Sequence, residues 1–111
     1  MTTRLWVKLY LEILTDPKMG CLANHLWRRT VECILLAGKQ NDDGALPPVE
    51  EMAWTLRLSQ DKLLEDLHSL AEIGVVHEAQ PGAWVVTHFA KRQALVPLGE
   101  RVYAHRLRKQ P

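Results

Sequence analysis

The sequence predicts a mostly α-helical fold with a small β-hairpin. Two short amphipathic segments, Val49–Leu56 and residues 60–73, are separated by a turn of three residues. Two β-rich runs at residues 75–79 and 83–87 follow at once, and the Pro-Gly pair between them predicts a hairpin. Two helices joined by a tight turn and followed by a two-stranded wing describe a winged helix-turn-helix. The length of 111 residues suits one such domain with a small core.

The amino-terminal part of the chain predicts two further helices. Residues 5–14 have apolar side chains on one broad face and charged side chains opposite, which predicts a short helix. Asp16-Pro17 should end this helix, because the residue before a proline avoids the helical region. Residues 22–37 have the strongest helical periodicity in the chain, and Gly38 is the predicted stop.

The remaining elements are predicted from turn and cap residues. Asn41-Asp42-Asp43-Gly44 is a turn cluster, after which Ala45-Leu46 has room for a short strand. Pro47-Pro48 opens the first helix of the pair, since proline is tolerated in a first helical turn. Ser59 is a favourable N-cap for the second helix, and Gly74 suits the position that follows its last turn.

The second helix of the pair, at residues 60–73, is predicted to have an apolar face and an acidic face. Helical periodicity assigns five residues to the buried side, which are Leu63, Leu64, Leu67, Leu70 and Ala71. It assigns four carboxylates to the outward side, which are Asp61, Glu65, Asp66 and Glu72. Lys62 is the only cation that the same helix offers to oppose them.

Charge is divided unevenly along the chain, although the formal total is only +1. Residues 1–90 carry 8 Lys and Arg against 12 Asp and Glu, whereas residues 91–111 carry 6 against 1. Basic segments of this kind seek phosphates or acidic surfaces. We therefore divide the chain into a winged helix-turn-helix domain at residues 1–90, with its wing at 75–87, and a basic tail or linker at 91–111.

Composition and motifs exclude several classes of protein. The longest apolar stretches have about five residues, whereas a membrane helix needs about 20, and the N-terminus lacks a signal-peptide cleavage site. We expect a soluble, cytoplasmic protein whose two cysteines stay reduced. Cys21, His25 and Cys33 do not make up the four ligands of a structural zinc site. Because motifs for nucleophilic catalysis and phosphate-cradling loops are also missing, we expect no enzymatic activity, no metal and no cofactor.

An ordered set of short motifs runs through nearly the whole chain. In the first half the motifs are Trp6-x-Lys8-Leu9-Tyr10, Asp16-Pro17-Lys18 and Asn41-Asp42-x-Gly44-x-Leu46-Pro47. In the second half they are Leu58-Ser59, Leu67-x-x-Leu70-x-x-x-Gly74, Thr87-His88-Phe89-x-x-Arg92-Gln93 and the Arg/Tyr-rich residues 101–109. No single motif is specific, but the ordered set resembles the amino-terminal domain of phage replisome-organiser proteins.

The resemblance implies a winged helix that binds DNA, related to DnaD-type replication initiation proteins, which often self-associate. It also implies a carboxy-terminal region that recruits helicase-loading machinery, outside the part of the family that this chain resembles. Family members are expected to present polar or basic residues on the recognition helix, whereas residues 60–73 present four carboxylates. The predicted function is duplex DNA binding in phage-type replication initiation or regulation.

The candidate DNA-contacting residues fall in three places. The start of the helix at residues 60–73 reaches base edges in helix-turn-helix docking, where Gln pairs with adenine. The wing tip and the basic tail are expected near phosphates, and in the tail Arg101, His105 and Arg108 share a helical face. The full candidate set is Arg57, Ser59, Gln60, Lys62, Ser69, Gln80, Gly82, Lys91, Arg92, Arg101, Arg106, Arg108 and Lys109.

The alternative is a protein-interaction module or a ribonucleoprotein subunit. Carboxylates along one helix repel a phosphate backbone, so that helix would dock a protein instead. Trp54 is predicted to point outward, where a tryptophan commonly anchors an interface, unless it folds onto the N-terminal helix or a neighbouring loop. Trp6 and Tyr10 are further candidate partner-binding residues, although their periodicity, like that of Trp27, favours core packing. The apolar excess around Trp6 and Tyr10 predicts a homo-oligomer.

Overall fold

The computed structural model describes residues 6–40 and 42–94, which form a mostly helical fold with one antiparallel hairpin. The elements in chain order are a 3-10 turn (Leu11–Leu14), α1 (Pro17–Gly20), α2 (Asn24–Gln40), α3 (Val49–Leu56), α4 (Gln60–Glu72), β1 (Val76–Gln80), β2 (Ala83–Val86) and α5 (Phe89–Ala94). The predicted mostly helical class with a small hairpin is thus confirmed. Within the described residues no helix combines the length and apolar character that a membrane crossing requires.

The amino-terminal segment is not the helix that its periodicity predicts. Tyr10 has extended backbone angles, and only Leu11–Leu14 forms a 3-10 turn. The backbone of Lys8 instead bonds to α5, where its N–H donates to Gln93 Oε1 at 2.8 Å and its carbonyl accepts from Gln93 Nε2 at 3.0 Å. These long-range bonds replace the local ladder that a helix needs. Trp6 is 69% exposed, so the expectation of core packing for it is wrong.

The helix α2 continues through its predicted stop. Gly38 lies inside the helix and is buried with Leu36 and Ala37, and the last helical residue is Gln40. A glycine in a helix interior costs about 1 kcal/mol relative to alanine, which tertiary packing readily outweighs. The prediction of a stop at Gly38 is therefore wrong, because a local propensity was overridden by the burial of this helical face.

The caps of α4 are confirmed as predicted. Ser59 precedes the helix with an extended backbone, and its Oγ accepts a hydrogen bond from the Lys62 N–H at 3.1 Å. Gly74 follows the helix with φ +82, a conformation that side chains other than glycine rarely adopt. Arg57 takes φ +59 in the turn between α3 and α4, which lets the chain reverse within three residues.

Residues 44–46 pair with β2 on the side opposite β1. The Leu46 N–H donates to the Trp84 carbonyl at 2.9 Å, and the Val86 N–H donates to the Gly44 carbonyl at 2.8 Å. The expected short strand at Ala45-Leu46 is thus a single antiparallel bridge to Val85. A Cβ on Gly44 would lie 2.7 Å from the Cβ of Phe89, so this close pairing requires glycine.

The core lies between α2, α3, α4 and the hairpin. Its largest fully buried apolar side chains are Met52, Leu63, Leu67, Leu70, Val76 and Cys33. Leu63, Leu67 and Leu70 therefore confirm the predicted buried face of α4, whereas Leu64 and Ala71 are only half-buried. Trp27 is also half-buried, and its indole N–H donates to the Met19 carbonyl at 3.0 Å.

Asp66 is buried, which contradicts its predicted place on the outward face of α4. Its side chain is 1% exposed, and its Oδ2 accepts from Arg29 Nε at 2.9 Å. Its Oδ1 lies 3.1 Å from Lys62 Nζ and 3.7 Å from His25 Nε2. Arg29, itself 7% exposed, also pairs with Glu32. A carboxylate can be buried only when partners of this kind replace water.

We expect Asp66→Ala to lower the free energy of unfolding by about 3 kcal/mol, because it leaves the buried Arg29 with only Glu32 as its partner. The double variant Arg29→Met with Asp66→Leu should recover most of that loss, since apolar residues of similar volume often replace a buried ion pair without penalty. Glu65→Ala, on the exposed side of the same helix, is the control and should change stability by less than about 0.5 kcal/mol. Urea titration measures all three, and equal losses for Asp66→Ala and Glu65→Ala would contradict the prediction.

Candidate nucleic-acid and partner interfaces

The outward face of α4 is acidic. Asp61, Glu65 and Glu72 are exposed at helical spacing, with His68 between the last two. Lys62 is half-buried, and its charge is already paired: its Nζ lies 3.1 Å from Asp66 Oδ1 and 4.0 Å from Glu65 Oε1. Within α4, every residue of which is described, the one basic side chain besides histidine is therefore engaged in ion pairs.

The predicted base-reading residues at the start of α4 have different environments. Gln60 is exposed, whereas the Oγ of Ser59 is used to cap the helix. Ser69, nine residues after Gln60, is half-buried. Of these three candidates, Gln60 is the one whose side chain is both exposed and uncommitted to the helix cap.

Trp54 is exposed, as its position on α3 predicts. Its side chain is 69% exposed, and the guanidinium carbon of Arg57 lies 4.7 Å from the ring centroid. A cation in this position is attracted by the negative face of the ring. Arg57, a predicted DNA-contacting residue, is thus stacked on a predicted partner-binding residue, and together they form an exposed aromatic and cationic site.

The hairpin tip presents the backbone together with a carboxylate. Gln80 and Gly82 are exposed, and the Gly82 N–H donates to Glu78 Oε2 at 2.7 Å. Glu78 therefore accepts the hydrogen bond that the Gly82 N–H would otherwise donate to a phosphate.

Trp84 points inward from β2 and packs edge-on against His68 with ring centroids 5.2 Å apart. Its buried indole N–H has no hydrogen-bond partner among the described residues.

Lys91 and Arg92 lie in α5, so the predicted boundary between domain and tail at residue 90 falls inside a helix. Lys91 is exposed. The guanidinium of Arg92 pairs with the Glu12 carboxylate and lies 5.5 Å from the Tyr10 ring centroid. The Arg92 carbonyl also accepts a hydrogen bond from the Tyr10 hydroxyl. The other predicted tail contacts, which are Arg101, Arg106, Arg108 and Lys109, lie outside the described residues.

A cleft of about 210 Å³ lies beneath residues 6–16, which we term the amino-terminal strap. The strap and α1 line one side of the cleft, and the ends of α4 and β2 with α5 line the other. Its apolar lining includes Ile34, Ile73, Val75 and Phe89, and its charged lining comes mainly from the strap, α1 and α5.

The solvent-exposed side of the strap, its outer surface, carries several large apolar side chains. Four of its large side chains are between 48% and 84% exposed, which are Trp6, Leu9, Leu11 and Leu14. Tyr10 is half-buried and contributes its hydroxyl to α5, as described above. Exposed apolar side chains concentrated in one short segment are a feature of interaction surfaces.

The cysteines and other potential metal ligands are dispersed among the described residues. No group of three or more His, Cys, Asp or Glu side chains there could hold a metal ion. Burial raises the pKa of the Cys33 thiol to about 12 against the opposing influence of Arg29, so this cysteine stays protonated and unreactive at neutral pH. Cys21 is exposed and lies in no such group.

Sequence reasoning missed the two ion pairs that organise these surfaces. Arg29 and Asp66 each occupy a position on a buried stripe, since Cys33 follows Arg29 by four residues and Leu70 follows Asp66 by four. One positive and one negative side chain on the buried stripes of two helices indicate that a buried ion pair is possible, but do not identify the two partners. Glu12 and Arg92 are 80 residues apart, and neither has a local pattern that predicts the contact.

Comparison with known proteins does not identify a family for this chain. The chain matches no protein-family model, no curated protein sequence and no solved structure. What these surfaces bind is therefore inferred from the order of the elements, the charges they carry and the motifs along the sequence.

Proposed function

We propose that this protein is a winged-helix DNA-binding protein that acts in phage-type replication initiation or its regulation. The observation that carries the proposal is the order of elements around the hairpin. The helices α3 and α4 are joined by a three-residue turn, and β2 lies between β1 and residues 44–46. A helix pair with this turn and a hairpin directly behind it suits a winged helix-turn-helix. The motif resemblance to phage replisome organisers supports the role in replication.

The distribution of charge indicates how such a domain would hold a duplex. Gln60 at the start of α4 approaches the groove, and the hairpin tip at Gln80 and Gly82 approaches the backbone. Most of the affinity comes from the basic residues between 91 and 111, because these supply cations that α4 lacks. The carboxylates along α4 weaken binding and keep its contribution to affinity small.

We expect neutralisation of the tail to weaken duplex binding and flatten its salt dependence. The variant replaces Arg101, Arg106, Arg108 and Lys109 with Gln in the full chain. Each lost phosphate contact lowers the slope of log affinity against log salt by about 0.9, so four contacts lower it by about 3.6. The control is Lys18→Gln with Lys39→Gln, which removes exposed lysines outside the candidate set. Titrations at several salt concentrations measure the slope, and an unchanged slope in the tail variant would exclude the tail.

A second candidate function is protein docking on α3 and α4. The observation that favours it is the exposed stack of Trp54 and Arg57 beside a helix whose outward face is acidic. Exposed tryptophan and arginine are the residues most enriched at the energetic centres of protein interfaces. In this case α4 faces a protein, and nucleic acid contact is left to the basic tail.

Neutralising single carboxylates on α4 separates these two functions. If α4 lies beside DNA, Asp61→Asn and Glu65→Gln should each tighten duplex binding, most strongly at low salt where the Debye length reaches about 30 Å. Asp42→Asn, an exposed carboxylate in the turn before Gly44, is the control for net charge. Flat responses at both α4 positions would favour protein docking. Lys62 is unsuitable for this test because its substitution would also disturb the buried Asp66.

We also expect the protein to self-associate through the outer surface of the strap. Sedimentation at micromolar concentration should show a dimer or larger species, because burying Leu11 and Leu14 against a second copy removes apolar surface from water. Leu11→Glu with Leu14→Glu should shift the protein to monomer. Leu35→Glu, at an exposed leucine of α2, is the control and should leave the assembly intact. A wild-type monomer over the whole concentration range would refute the expectation.

A further inference from the structure

The contact between the strap and α5 engages a residue that the proposed function assigns to DNA. Arg92 forms an ion pair with Glu12, and the side chains of these residues are 48% and 58% exposed. The Tyr10 ring lies beside the same guanidinium, and the Tyr10 hydroxyl donates to the Arg92 carbonyl. Because this ion pair faces solvent, a polyanion can reach the guanidinium without unfolding the domain.

The strap is attached by several polar contacts and by the side chain of Val7, which packs against the core. Besides the contacts to Arg92, the Lys8 backbone exchanges two hydrogen bonds with the Gln93 side chain. Within residues 6–14 the apolar side chains of Val7 and Ile13 are half-buried and none is fully buried. Segments with few buried apolar contacts open at low free-energy cost, so loss of these polar contacts favours release of the strap.

We propose that the contact between Glu12 and Arg92 is autoinhibitory: the Glu12 carboxylate holds Arg92 away from phosphate, and a duplex phosphate displaces it. Carboxylate and phosphate compete for the same guanidinium donors, and one Arg92 side chain serves one of them at a time. The ligand of this exchange rests on the proposed DNA-binding function, whereas the contact itself is a property of the fold. Displacement of Glu12 removes one of the contacts that hold the strap.

Thermodynamic reciprocity gives this exchange a second consequence. If strap attachment lowers the affinity for DNA, then DNA lowers the stability of strap attachment by the same factor. Release of the strap uncovers the apolar lining of the cleft, including Ile34, Val75 and Phe89. DNA binding is therefore coupled to exposure of an apolar surface that the free protein covers.

The first experiment compares two carboxylates that line the same cleft. Glu12→Gln and Asp16→Asn change the net charge equally, but only Glu12 contacts Arg92. Asparagine caps α1 as well as aspartate does, so the control keeps its local structure. We expect Glu12→Gln to tighten binding of a 20-bp duplex about two- to five-fold more than Asp16→Asn, the factor typical of an exposed ion pair. If the two variants tightened duplex binding equally, the change in net charge alone would explain the effect, and the proposal would be overturned.

The second experiment measures hydrogen exchange of the Lys8 amide, which donates to the Gln93 side chain. Tyr10→Phe removes one contact of the strap without changing charge, so exchange should accelerate in the free protein, as it should in Glu12→Gln. Asp16→Asn should leave exchange unchanged. Addition of the 20-bp duplex to the wild-type protein should also accelerate exchange at Lys8.

The outcomes separate this proposal from the function on which it rests. Duplex binding by the wild-type protein with unchanged exchange at Lys8 would overturn the autoinhibitory contact and leave DNA binding standing. Duplex binding by Glu12→Gln at concentrations where the wild-type protein binds none would support both. Failure of both proteins to bind the duplex would overturn the DNA-binding function and, with it, the exchange of Glu12 for phosphate.

Discussion

The buried ion pair between Arg29 and Asp66 is the interaction on which the rest of this structure depends. It joins the first half of α2 to the middle of α4 through a hydrogen bond of 2.9 Å between side chains that are almost fully buried. Two charges removed from water tolerate little displacement, because a misaligned pair leaves each desolvated and unpaired. Together with the buried Leu63, Leu67 and Leu70, the pair therefore fixes the rotation of α4 about its axis and the residues that the helix presents to solvent.

That rotation determines the electrostatics of the exposed surface. Lys62 turns toward Asp66, so the outward side of α4 retains Asp61, Glu65 and Glu72 without a free lysine to balance them. A helix with this surface cannot supply most of the affinity for a polyanion. The basic residues between 91 and 111 are the available alternative, which is why the proposed function places affinity in the tail and leaves the acidic helix a minor role at the groove.

The contact between the strap and α5 is a second ion pair that shapes the exposed surface. Glu12 and Arg92 neutralise each other across the gap between the chain's first and last described elements. Polar contacts of this type are specific but weak at a solvated surface, where water and salt compete for both partners. A segment held in this way is suited to reversible attachment, and the exposed leucines on its outer surface are suited to contact with another molecule.

The sequence by itself determined the features that depend on a few neighbouring residues. Ser59 and Gly74 mark the ends of α4 because a side-chain cap and a positive φ are local requirements. The order of the helices and the hairpin follows from periodicity, which any short window of sequence carries. Tertiary structure alone decided that residues 6–10 are not helical, that Asp66 pairs with Arg29 and that Arg92 pairs with Glu12. Each of these outcomes depends on a partner far along the chain, and local periodicity alone does not identify that partner.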